Sequence, residues 1–228
     1  DYFDVVFKVT DILQQRGEAA MEYALDPTTS PEIADAMKEK ARGDFTAAKT
    51  ELDAIRQQFR DADYERQTDQ WRLRARSWLY YCIMLYSEAT AAKEGSLQQG
   101  TALDEAVREL DDFILEYDSA DNDESMIGSL FGTIYRGKVA RARNNLDNAV
   151  ASYESVLNFI RWEQAGTISG VVQLLAEQSY FELLDALNVA RRFEDARERG
   201  EKMEVRFKAK KVQPGVYGRA ARVEFARA

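Results

Sequence analysis

Six consecutive residues, Trp71-Arg72-Leu73-Arg74-Ala75-Arg76, interleave cations with large apolar groups, an alternation that could set guanidiniums on phosphates and rings on bases. On a helix these neighbours point in different directions, so the run reads as a charged face whose stems cover apolar surface. A second constellation, Asp118-x2-Asp121-x-Asp123-Glu124, carries the oxygen ligands that calcium takes. It has neither a glycine at the sharp turn nor a glutamate at the closing distance, and a polar loop accounts for it. Lys208-x-Lys210-Lys211 lies near an expected helix end, where cations complement the dipole.

Catalysis finds few of its usual parts. The chain has no histidine, which removes the commonest general base and zinc ligand, together with serine-histidine, cysteine-histidine and di-iron Glu-x-x-His arrangements. Cys82 is the one thiol, and on the Trp78 to Leu85 face it is expected to be a small packing residue rather than a nucleophile. Forty acidic residues leave carboxylate-only chemistry open, but none sits in a short motif with apolar surroundings. No glycine loop is suited to cradle phosphate. The expectation is therefore no catalytic residue, no metal ligand and no cofactor.

These residues must be positioned by helices. In 228 residues there are only three prolines and twelve glycines, and Ala, Leu, Glu, Arg and Gln fill long stretches, so an all-α chain with a sizeable core is expected. A net charge of -9 and a pI near 4.8 argue against nonspecific binding to nucleic acid or anionic membrane. No apolar run approaches the roughly 20 residues of a membrane span. Asp1 and the apparent helix at Ala228 suggest a soluble domain excised from a longer protein, and one cysteine leaves the compartment open.

Breakers divide the chain into approximate units. Residues 1–27 form an N-terminal helix. Ser30 caps the next segment with Pro31 at its first position, and 30–62 reads as a hairpin turning at Gly43-Asp44. Units 64–118, 125–162 and 167–208 follow, with Thr101 expected to cap the second helix of the first of these. Residues 214–228 begin a further, truncated unit after the Val212-Gln213-Pro214-Gly215 turn.

The units share a pattern. Tyr180-x2-Leu183-Leu184-x2-Leu187-x8-Ala196 places large apolar residues at helical spacing, then a turn, then a small residue in a second helix. Ala48-x3-Leu52-x2-Ile55, Ala106-x3-Leu110-x2-Phe113, Ala149-x3-Tyr153-x2-Val156 and Ala196-x3-Gly200-x2-Met203 keep the second-helix spacing, with Gly200 in place of a large residue. The alanines are 58, 43 and 47 residues apart, longer than the roughly 34 of an unembellished tetratricopeptide unit.

The chain resembles the tetratricopeptide repeat family over about residues 30–228. Trp78-x2-Tyr81-Cys82-x2-Leu85 matches the family's first helix, with Cys82 in the small position. Arg136-Gly137-x2-Ala140-x8-Ala149 keeps the glycine and the spacing, and Tyr217-Gly218-x2-Ala221 looks like the opening of another unit. The resemblance implies a single domain, 1–228, built as a right-handed α-solenoid of stacked antiparallel hairpins. It also implies a concave face carrying Arg76, Leu79, Ile83 and Tyr86, then Phe131, Ile134, Lys138 and Arg141, then Gln178, Phe181, Asp185 and Asn188.

Arg76, Lys138 and Arg141 on that face could form one anion-binding patch, or could be solvated positions paired with nearby acids. The expected function is a non-catalytic scaffold that binds a peptide or partner domain, with self-association left open. One alternative is a spacer domain of a larger, envelope-associated or multidomain protein. The other is a carboxylate-lined helical enzyme or small-ligand binder.

Overall fold

The computed structural model describes residues 2–59, 69–117, 123–160, 162, 166–168 and 170–228, without the side chains of 123–126. Among the described residues the chain is all-α, without strands. Its helices are α1 Tyr2–Leu25, α2 Pro31–Gln58, α3 Asp69–Ala91, α4 Leu97–Tyr117, α5 Asp123–Ala142, α6 Leu146–Phe159, α7 Gly170–Val189, α8 Phe193–Ala209 and α9 Val216–Arg227. No helix is long and apolar enough to cross a membrane, among the described residues. The chain divides into two compact units, Asp1–Tyr117 and Asp118–Ala228.

Local chemistry sets several helix ends. Ser30 accepts a hydrogen bond from the Ile33 N–H at 3.5 Å, and Pro31 takes the first position, where no donor is needed. Ser96, rather than Thr101, opens α4, its hydroxyl accepting from the Gln99 N–H at 3.2 Å. Thr101 lies inside the helix and donates back to the Leu97 carbonyl at 2.9 Å.

The expected hairpin within 30–62 is instead one helix of 28 residues. Glycine in a helix interior costs only about 1 kcal/mol. Ala41, Phe45, Ala48, Leu52 and Ile55 continue one buried face straight through Gly43-Asp44. The partner of α2 is therefore α1, reached by the short turn after Leu25. Gly17 makes their contact close: a Cβ there would lie 2.4 Å from the Phe45 ring.

The rest of the first unit is layered on α2. Helix α3 packs against α2 and α4. Trp71, Phe113 and Tyr117 form an aromatic cluster at one end, with Trp71 and Tyr117 centroids 5.0 Å apart. Ala48, Cys82, Leu85, Ala106 and Leu110 are fully buried.

In the second unit α6 packs on α5 and α7, α8 on α7, and α9 on both α7 and α8. Tyr153, Tyr180, Leu183, Leu184, Met203 and Phe207 fill its core. Gly137 admits the Tyr153 ring, which would stand 2.5 Å from a Cβ at that position. The turns repeat as well: Asn144 and Arg191 both hold positive φ, at 61° and 57°. After each, an N–H returns to a carbonyl five residues back, Asn145 to Ala140 and Arg192 to Leu187, both at 2.9 Å. Asn144 and Arg191 are 47 residues apart, the same interval that separates the buried Ala149 and Ala196.

Candidate binding cleft

Helical spacing converges three sets of side chains within the first unit. Asp53 and Arg56 stand one turn apart on α2. Arg74, Trp78 and Tyr81 lie along one stripe of α3, and Glu105, Glu109 and Asp112 along one stripe of α4. With Gln57 and Arg108 they line an open cleft of about 640 Å3, within the size range of ligand-binding sites.

The floor is tied together by polar contacts. The Trp78 indole N–H donates to Glu109 Oε2 at 3.0 Å, while its ring meets Phe113 edge-on at 5.8 Å. Arg56 donates through Nε and Nη2 to Asp53 Oδ1, at 3.1 and 2.9 Å, and pairs through Nη1 with Glu109. Its guanidinium lies 4.0 Å above the Tyr81 ring. The Tyr81 hydroxyl donates to Glu105 at 2.6 Å. Burial, followed by this bond to Glu105, pushes the Tyr81 phenol well above its ordinary range. Tyr81 is thus held as a neutral donor.

Side chains fixed in this way are suited to recognition. Arg56 is nearly covered, with both flanks already claimed, so it orients the cleft more than it awaits a ligand. The rim supplies the accessible groups: Arg108 is 66% exposed, and Gln57 and Asp112 are exposed. Cys82 lies fully buried beneath, its thiol pushed far up by burial, in the state of a packing residue rather than a nucleophile. The described residues contain no group of three acidic or sulfur ligands placed to hold a metal ion. The acidic stretch 118–124 lies outside the described side chains.

The residues expected on a concave face fall into two sets. In the first unit Arg76 is exposed on α3 and stacks 4.0 Å over Phe7 of α1. Leu79 packs partly buried beside the aromatic cluster, Ile83 is buried and Tyr86 is half-buried. In the second unit Ile134 and Gln178 are buried, and Phe131 is partly so. Phe181 meets Tyr217 at 6.1 Å, and Asn188 donates to the Glu224 carbonyl at 2.8 Å.

The cations of the second unit have acidic neighbours on α7. Lys138 pairs with Glu182 at 3.0 Å, and Arg141 with Asp185 at 2.5 Å and Glu182 at 3.6 Å. An acidic ligand would have to displace these carboxylates. Glu182 was not among the residues expected there, because its pairing partners are far away in sequence. Asp53, Arg56, Glu105 and Glu109 were missed for the same reason: an acidic stripe at α4 spacing is common, and only the pairing of α3 with α4 sets it opposite Trp78 and Tyr81. No family model, curated protein or solved structure was found to match the chain.

Proposed function

We propose that this chain is a non-catalytic protein-interaction scaffold, a tetratricopeptide-like right-handed stack of antiparallel hairpins that takes a segment of a peptide or partner domain. The observation that carries the reading is the α2–α3–α4 cleft, where aromatic side chains and charges of both signs are fixed by Glu109, Asp53 and Glu105 before any partner arrives. Preorganised aromatic and arginine side chains are what interaction hot spots are made of. The fully buried Ala48, Ala106, Ala149 and Ala196, each in a second helix of a pair, support the hairpin register. On the second unit, Lys138 and Arg141 already pair with Glu182 and Asp185, and Asn188 Nδ2 donates to the Glu224 carbonyl, so partner contact is assigned to the cleft.

A photoreactive side chain placed at the exposed Arg108, in the full chain and in the cells that make it, tests this. One polypeptide should be captured at Arg108 and at Gln57, and not from the same substitution at the α8 position Lys202. Equal capture from all three sites, or none from the cleft, would refute the assignment.

A further inference from the structure

Helix α1 carries two apolar seams. One, with Val6, Phe7, Thr10, Gly17, Ala20 and Ala24, is buried. The other faces solvent: Tyr2, Val5, Val9, Ile12 and Tyr23 are 64%, 57%, 42%, 56% and 54% exposed. With Arg16 and Ala19 they occupy positions 2, 5, 9, 12, 16, 19 and 23, an unbroken alternation of three and four. Single exposed apolar residues need no explanation, but five on one stripe do. A strict heptad over three turns of the repeat drifts off a straight helix and stays on one that supercoils with another helix. The occupant this spacing fits is therefore a helix.

Charge selects which helix. Lys8 and Glu22 flank the stripe; both are exposed, and neither engages another side chain among the described residues. When α1 is laid antiparallel on a second α1 about a two-fold axis at Gln14, Lys8 faces the partner's Glu22, twice by symmetry. In that register Val5 faces the partner's Tyr23, Val9 the partner's Ala19, and Ile12 the stem of the partner's Arg16. Arg16 is held by Asp44 at 3.1 Å, so its charge is already met. A parallel pairing sets Lys8 beside the partner's Leu13, and antiparallel registers one heptad away set Lys8 or Glu22 beside the partner's Gln15. Only the centred antiparallel register is complementary to itself, as a two-fold interface must be.

We propose that α1 is the self-association face of this protein, two copies pairing antiparallel along their Tyr2–Tyr23 stripes with Lys8 against the partner's Glu22. The five side chains remove on the order of 500 Å2 of surface per copy, the low end for a specific interface, so a micromolar dimer is expected. This pairing is independent of what the cleft binds.

Sedimentation and light scattering of the 228-residue chain, from about 5 to about 200 µM, read it directly. The mass should move from 26.0 kDa towards twice that value. Ile12→Glu, at an exposed position, should keep the helical circular dichroism and thermal midpoint while remaining monomeric. Lys8→Glu and Glu22→Lys should each weaken the dimer about fivefold, and the double exchange should restore it. A monomer at every concentration, a dimer that survives Ile12→Glu, or a double exchange no tighter than the single changes would each overturn the proposal.

Discussion

A Cβ on Gly200 would stand 2.1 Å from the Phe225 ring: α8 leaves a gap at this position and α9 fills it. The corresponding position in the other second helices holds the fully buried Leu52, Leu110 and Tyr153. The aromatic bulk missing from α8 is thus supplied by the next helix. Gly200→Ala should evict Phe225 and cost about 1–3 kcal/mol in urea unfolding, more than the helix propensity that alanine returns. In a Phe225→Ala background the same change should cost little, and full additivity in the double-mutant cycle would disprove the contact.

Glu177 holds the other end of α9. Its carboxylate is 2% exposed and accepts from the Gly215 N–H at 3.0 and 3.1 Å, the Gly218 N–H at 3.1 Å and Gln173 Nε2 at 2.7 Å. A helix N-terminus favours an acceptor with negative charge. Glu177→Gln turns one acceptor into a donor facing N–H groups and should cost about 1–3 kcal/mol. Hydrogen exchange should quicken selectively at the amides from Gly215 to Arg219.

Gly17 and Gly137 face Phe45 and Tyr153 across their hairpins, where a Cβ on either glycine would lie only 2.4 and 2.5 Å from the ring. Both rings are buried, so neither can swing aside. Alanine at either glycine should lower stability by about 1–3 kcal/mol despite its better helix propensity. Gly43→Ala, with open space around it, should instead stabilise by roughly 1 kcal/mol. Thermal melts of the three variants would separate close contact from backbone entropy.

Much of this fold was legible in the sequence. The Ser30-Pro31 start, the buried alanines and Gly137 all declare themselves through local rules of capping and packing. Gly43-Asp44 makes no turn because a glycine-aspartate pair signals one only when the apolar face is interrupted, and here Ala41 and Phe45 continue it. The cleft was hardly legible. Trp78 was visible as a large residue of a first helix, but its bond to Glu109 depends on two helices whose pairing no spacing rule encodes. Lys138 and Arg141 fit the reading of cations paired with nearby acids, but which acids they meet was not legible, since those carboxylates lie on α7.

Tyr117 should make the protein sensitive to alkali. Burial pushes its phenol up to about 12 from an ordinary value of 10.0, and its hydroxyl meets no hydrogen-bond partner among the described residues. Because the folded form resists ionisation, this stability is fully present below pH 10 and is lost as pH rises towards 12. A difference of this size corresponds to a few kcal/mol, on the order of 1.4 for each pH unit between the two values. Tyr117→Phe should leave neutral-pH stability unchanged or higher by about 1 kcal/mol, since no hydrogen bond is removed. It should also shift the alkaline unfolding midpoint upward, as read by tyrosinate absorbance alongside circular dichroism.

The central claim, that the α2–α3–α4 cleft is where a partner binds, is tested most directly by calorimetric titration of the captured partner into wild-type chain and two cleft variants. Trp78→Phe removes the donor to Glu109 while keeping a ring, and Asp112→Lys reverses a charge at the exposed rim. The account predicts an affinity lowered about tenfold or more in both, with thermal midpoints near wild type for Asp112→Lys and for a matching control, Glu201→Lys at an exposed position of α8, that still binds. Unchanged affinity in the cleft variants, or a loss confined to Glu201→Lys, would contradict it.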